Sequence, residues 1–260
     1  MRIYEEELSD ATRYLQTHKN IALEDKAAEF AAMVRHLSRF LPLNERTRVL
    51  EIRSGTGWLL ILFMKNGVCA RGLEISAQLA DYAREQGRKH GVPLDIELGN
   101  IEQTDIGRHR YDIIIAKDTF EHVEHWQTGL RRVYEALNPG GVFYFTSTSK
   151  YSIFRSDYEY DFPFYGWLPN RLRYALRIAR QGPDIMKLGI DFNQFTYGQL
   201  RRFFRKLGFS KVLDRIDCLD PDVLRRQAPA KRHIVPLLRI RPIKDLALLF
   251  SPYTAFTCVK

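Results

Sequence analysis

The stretch VLEIRSGTGWLLILF, Val49 to Phe63, decides how this chain is read. A short aliphatic run carrying Glu51 leads into a turn with glycines at 55 and 57, and an apolar helical pattern starts directly after it. Such glycines let the backbone turn tightly and approach a ligand at the carboxyl edge of a sheet, where the amides opening the helix face an anionic group. An ordinary strand-to-helix connection has the same look, so the turn needs support from elsewhere. Glu74 gives some: it ends the next apolar run, about 20 residues on, where a carboxylate can accept from both hydroxyls of a ribose. Leu60 stands where the third glycine of a dinucleotide fingerprint would be, which points away from a pyrophosphate cofactor and toward an adenosine cofactor without phosphates.

From about residue 45 to residue 148, short apolar runs alternate with helical patterns, the signature of a parallel sheet with crossover helices. The expected strands are Arg48 to Ile52, Val68 to Glu74, Leu94 to Leu98, Tyr111 to Ala116 and Gly141 to Ser147. Between them lie SAQLADYAREQGRKHG, which Ser76 can cap, and WQTGLRRVYEALNPGG, which ends in a proline and glycine stop. EDKAAEFAAMVRHLSRFL reads as an amphipathic helix packed on the sheet. After Ser149 the pattern breaks into an aromatic and arginine-rich segment, read as an insertion over the active face, and a later helix (TYGQLRRFFRKLGF) and strand (SKVLDRID) follow it.

In order and spacing, VLEIRSGTG, GLEIS, GNIEQ, YDIIIAKDTFEHV and LNPGGVFYFTS resemble the class I S-adenosylmethionine-dependent methyltransferases over roughly residues 45–148, with a weaker echo to residue 216. The resemblance implies an α/β fold with a Rossmann-like, doubly wound, mostly parallel seven-stranded sheet and helices on both faces. It implies S-adenosylmethionine as cofactor, with Gly55 and Gly57 near its methionine and ribose portions and Glu74 on the ribose. Asn100 and the Ile101 amide fall at the adenine edge, although Asn100 also reads as a simple turn residue. Glu51, Ile75 and Lys117 complete the expected cofactor-binding set, Lys117 near the methionine end.

Arg53 departs from the family pattern, which has glycine there. Its guanidinium can turn inward and pair with the cofactor's carboxylate, point to solvent, or fill the cleft and leave a protein that no longer methylates. If the backbone there needs a positive φ, arginine also costs about 1 to 2 kcal/mol.

A sulfonium already makes the methyl group electrophilic, so the protein's tasks are to exclude water and align the acceptor. A base is needed only for a hydroxyl that must lose its proton. Candidates cluster in KDTFEHVEHW: Asp118, Glu121, His122 and His125. His122 is the first choice as base because imidazole titrates near neutrality, and Asp118 is the second catalytic candidate; fixing the loop is the competing role for His122. His122 and His125 have no evident third ligand, and no metal is assigned.

The insertion, residues 150–195, is expected to act as a lid. Within it Leu172, Ala175, Leu176 and Ala179 form an apolar stripe with Arg173, Arg177 and Arg180 on other faces, a basic amphipathic helix that Asn170 can cap. Together with RRFFRK it could lie on anionic lipid or cover a lipid-like substrate, or simply pack on the core. Residues 220–245 are read as a basic connection before the last helix and strand of a single domain, 1–260. The net charge of +9 favours an anionic partner, but no RNA-binding module or target-base motif is present, so nucleic acid is the lesser alternative. Cys69, Cys218 and Cys258 show neither disulfide nor metal spacing, and the longest apolar run, Trp58 to Met64, is too short to span a bilayer; a cytoplasmic protein is expected, with peripheral contact at the inner membrane surface left open. The expected activity is methyl transfer to a small-molecule or lipid-linked acceptor, at oxygen rather than nitrogen. Its rivals are a catalytically silent binding protein and a nucleic-acid methyltransferase.

Overall fold

The computed structural model describes residues 14–15, 22–153, 162–183, 186, 189–219 and 234–260. Seven strands, β1 (Arg48–Ile52), β2 (Cys69–Glu74), β3 (Asp95–Leu98), β4 (Tyr111–Lys117), β5 (Leu137–Thr148), β6 (Lys211–Asp214) and β7 (Tyr253–Val259), form one sheet in the order β3-β2-β1-β4-β5-β7-β6. The first five are mutually parallel, while β7 runs antiparallel between β5 and β6. Chain order reverses between β1 and β4, which opens a crevice at the carboxyl ends of those two strands.

The sheet is buried on both faces because its central strands are apolar at consecutive positions. Val49, Ile113, Ile115 and Val142 face helices α1 (Leu23–Leu37), α2 (Trp58–Lys65) and α3 (Ala77–Lys89). Leu50, Ile114, Phe143 and Phe145 face α4 (Trp126–Ala136) and α6 (Tyr197–Leu207), with Phe204 and Phe256 in ring contact at 5.3 Å. The Ser76 hydroxyl accepts from the Leu79 amide to cap α3, and the Thr196 hydroxyl does the same for α6 through the Gln199 amide.

Three local expectations are corrected. β5 begins at Leu137, because that residue pairs with Tyr111 ahead of a bulge; α4 therefore stops before the proline and glycine. SKVLDRID forms a strand only at Lys211–Asp214 before turning. Most of the expected 220–245 connection lies outside the described residues, and its last part is helical, α7 (Ile234–Leu238) and α8 (Arg241–Leu249).

The largest correction concerns α5 (Asn170–Gln181). Asn170 is inside the helix, where its amide donates to the Phe192 carbonyl rather than capping; Pro169 precedes the first turn. Of the three arginines read as the polar faces of this helix, Arg173 and Arg177 are buried at 1% and 0% exposure and Arg180 is exposed, while Leu172, Ala175, Leu176 and Ala179 face out. The cause is Asp191, itself fully buried, whose carboxylate faces Arg173 Nε at 3.5 Å and Arg177 Nη1 at 3.3 Å. Tyr165 donates to the same carboxylate at 2.8 Å and Gln194 at 3.1 Å, while Arg173 Nη2 and the Tyr174 hydroxyl take the Asp191 carbonyl. Desolvation of two guanidiniums is tolerable only with such partners. Asp191→Ala should therefore lose about 3–5 kcal/mol in urea denaturation, whereas Leu172→Ala and Leu176→Ala should each change stability by about 0.5 kcal/mol or less. Equal effects at the three positions would contradict the inverted orientation of α5.

Candidate active site

Past Ile52 the backbone is left-handed at Arg53 (φ 62°), Gly55 (φ 55°) and Gly57 (φ 76°). Gly57 must be glycine for space as well, since a Cβ there would lie 2.7 Å from Ala83 Cβ. A Cβ on Gly55 would stand 3.2 Å from the Tyr14 hydroxyl. Arg53 occupies the strained conformation without that freedom, and so does Asp118 (φ 47°) just past β4. The two are joined: Arg53 Nη1 donates to the Asp118 carbonyl at 2.7 Å. The Arg53 side chain thus reaches from the end of β1 to the end of β4.

The Glu74 carboxylate engages three backbone amides. Its Oε2 accepts from the Gly55 amide at 2.8 Å, and its Oε1 from the Ile75 and Ser76 amides at 3.0 and 3.1 Å. The carboxylate thus ties the glycine turn to the end of β2. Asn100 likewise engages its own turn, Oδ1 accepting from the Glu102 amide at 2.9 Å.

Two cavities lie at this edge of the sheet. The first has apolar walls from Ile52, Leu73, Ile75, Ile101 and Val123, with Asn100 at its rim and Gly189 and Phe192 closing over it. The second is the more polar of the two, walled by Glu29 and His36 of α1, by Lys117 and Asp118, and by Tyr144, Thr146 and Tyr253 of β5 and β7. Arg53 and His122 line both. Gly55, Gly57 and Glu74 stand behind the walls, and Glu51 is buried at the end of β1.

The charges here are strongly shaped by burial. His122 Nδ1 faces the Ile190 carbonyl at 3.2 Å; a carbonyl only accepts, so Nδ1 carries the proton and Nε2 is the acceptor nitrogen. Desolvation, with the Arg53 and Arg177 guanidiniums nearby, holds this imidazole well below its usual range. Burial and the neighbouring Asp118 push Glu121 up to about 8, although Ser147 donates to its Oε2 at 2.7 Å. Burial likewise raises Glu51 to about 8 against the pull of Lys117, and its Oε2 has no hydrogen-bond partner. Lys117 pairs with Glu29 and lies over the Trp58 ring at 5.2 Å. His125 precedes α4, its amide held by Glu102, and among the described residues no three His, Cys, Asp or Glu side chains gather as a metal site.

A family profile described as "Methyltransferase domain" matches residues 25–213. The chain belongs to that methyltransferase family. A Haemonchus contortus phosphoethanolamine N-methyltransferase 2 solved in complex with S-adenosyl-L-methionine shares the fold, with a TM-score of 0.56 at 15% identity over 91% of this chain and 53% of that one. A ubiquinone biosynthesis O-methyltransferase from Coxiella burnetii is 24% identical over 119 residues, 44% of this chain and 51% of that protein. A malonyl-[acyl-carrier protein] O-methyltransferase from Enterobacter lignolyticus is 29% identical over 114 residues, 44% of this chain and 43% of that one. The chain thus spans about half the length of the curated relatives it matches. An S-adenosylmethionine-dependent methyltransferase of solved structure from Mesorhizobium loti shares the fold, with a TM-score of 0.59 at 17% identity over 92% of this chain and 100% of that one. The residues present suit the cofactor: the first cavity offers apolar walls for a purine, and the unpartnered Glu51 oxygen offers an acceptor for an ammonium group.

The second cavity was only half legible. Glu29, Ala32, Met33 and His36 recur at helical spacing on α1 and line it together, but in the sequence that stripe reads as packing. Tyr144 and Thr146 fall in the LNPGGVFYFTS run without being marked there as site residues, Tyr253 carries no motif, and the register of β5 against β7 brings them together.

The elevated Glu121 has a consequence for stability. Its folded pKa exceeds its unfolded one, so between about pH 4.5 and pH 8 the folded chain keeps a proton that the unfolded chain releases, and stability falls as pH rises through that window. Glu121→Gln removes that dependence while keeping an acceptor for Ser147. The variant's melting temperature relative to the parent should rise from about pH 5 to about pH 8; a difference that stays constant would show that Glu121 is ionised in the fold.

Proposed function

We propose that this chain transfers the methyl group of S-adenosylmethionine to an acidic hydroxyl, phenolic or enolic, on a small or lipid-linked acceptor, with His122 as general base. The observation that carries this reading is that the two cavities meet at His122, whose Nδ1 proton is committed to Ile190, so that Nε2 is available as a base. The O-methyltransferase names of the two relatives support oxygen as the acceptor atom.

The cofactor supplies an electrophilic methyl group on a sulfonium sulfur, which leaves as a neutral thioether when an oxygen displaces it. Ile75, Ile101 and Asn100 would hold its purine, the glycine turn kept in shape by Glu74 would run beneath it, and Glu51 and Lys117 would flank its methionine end. Arg53, released from the Asp118 carbonyl, would pair with its carboxylate. Residues 150–195 would act as the lid, with Gly189 and Phe192 excluding water from above. In the second cavity Asp118, which accepts from the Thr146 hydroxyl at 3.1 Å, would orient the acceptor, and Nε2 of His122 would take its proton. An imidazole held so far below its usual range is a weak base, and this is why the acceptor hydroxyl must itself be acidic.

A second reading, a silent protein that keeps the fold for binding, is favoured by one observation: the Arg53 side chain bridges the crevice that the methionine end would occupy. Transfer from radiolabelled S-adenosylmethionine to a panel of phenols, enols, carboxylic acids and amines separates the two. Incorporation into phenols or enols is expected. His122→Asn, which can still donate to Ile190, should cut turnover at saturating cofactor by about 100-fold and leave the melting temperature near that of the parent. Near-parental turnover in that variant would remove His122 from the chemistry, and incorporation into amines alone would overturn the oxygen assignment.

A further inference from the structure

Twelve of the fourteen exposed large hydrophobic side chains among the described residues fall in two segments, 153–178 and 237–253. On α5, Leu172 (55% exposed) and Leu176 (42%) form the outward face of a helix whose Arg173 and Arg177 are occupied inside. On α8, Leu246 (59%) stands out between Ile243 and Leu249, one helical stripe. Trp167 joins the two segments: its ring stacks on Phe250 at the end of α8, 6.4 Å between centroids, and meets Phe164 edge-on at 5.6 Å. Apolar faces of this kind on a folded chain mark an interaction surface.

Among the described residues the charge around this face is one-sided. From residue 162 to residue 183 there is no Asp or Glu, and the exposed charges are Arg171 and Arg180. Arg239 and Arg241 are exposed where α8 starts, and the acid on that helix, Asp245, faces Arg201 at 3.5 Å. Across a two-fold interface a second copy would set this arginine rim against itself, a like-charge contact that disfavours self-association. An anionic surface with an apolar interior matches both the rim and the face.

We propose that this face docks on a bilayer containing anionic lipid. Leu172, Leu176 and Leu246 enter the acyl boundary, Trp167 sits at headgroup depth, and the arginines meet the lipid phosphates. The surface differs from a helix lying on its basic side, since Arg173 and Arg177 are spent on Asp191. Tyr253 is both exposed and part of the second cavity's wall, so the docked face reaches that cavity. That the acceptor arrives from the bilayer rests on the methyl-transfer reading; the docking itself does not.

Co-sedimentation of the full chain with vesicles of phosphatidylcholine alone, and of phosphatidylcholine with about 30% phosphatidylglycerol, tests it. Binding to the anionic vesicles is expected to exceed binding to neutral ones by roughly tenfold and to fall at about 0.5 M salt. The triple variant Leu172→Glu, Leu176→Glu, Leu246→Glu should lose it, with an unchanged melting temperature because all three positions are exposed. Leu98→Glu, an exposed position on the far edge strand β3, should bind like the parent. The proposal is overturned by absence of binding to anionic vesicles, by a triple variant that binds as well as the parent, or by a dimer that the triple variant abolishes without any vesicle binding.

Discussion

One hydrogen bond, from Arg53 to the carbonyl of Asp118, ties the carboxyl ends of β1 and β4 at the point where the sheet reverses its order. Both residues are left-handed without being glycine, a conformation that costs about 1 to 2 kcal/mol each and persists only where the surroundings impose it. The surroundings do so here. Glu74 gathers the amides of Gly55, Ile75 and Ser76 on one carboxylate, and Thr146 holds Asp118 from β5. The result is a cleft with an apolar and a polar side, divided by the Arg53 and His122 side chains. The same guanidinium helps to keep His122 neutral and lies near enough to Glu121 to moderate its elevated pKa.

A second buried constraint organises the region over that cleft. Asp191 draws Arg173 and Arg177 inward, and its neighbours Gly189 and Ile190 pack on His122, a Cβ at Gly189 falling 2.8 Å from Nδ1. The helix that carries those arginines is therefore turned outside in, and its leucines are left at the surface. The orientation of α5 and the leucines it leaves at the surface follow from a single carboxylate.

These relations explain what could be read from the residues alone. The parallel strands, the glycine turn and the cap at Ser76 are written in local pattern, because each depends on neighbours within a few positions. The orientation of α5 is not, since hydrophobic periodicity cannot see that Arg173 and Arg177 have a partner 18 and 14 residues away. Glu74 is marked in the sequence by its place at the end of β2, but its bond to the Gly55 amide, 19 residues back, cannot be read from its neighbours. The first cavity follows from the motifs; the polar one depends on α1 and β7 converging from opposite ends of the chain.

The central claim is that the first cavity holds S-adenosylmethionine with Arg53 in place. Titration calorimetry of S-adenosylhomocysteine into the chain and into Arg53→Gly tests it most directly. The account predicts saturable binding to the chain itself, weakened in Arg53→Gly as the guanidinium's contact with the ligand carboxylate is lost. Binding to Arg53→Gly alone would contradict it and identify Arg53 as the residue that closes the site.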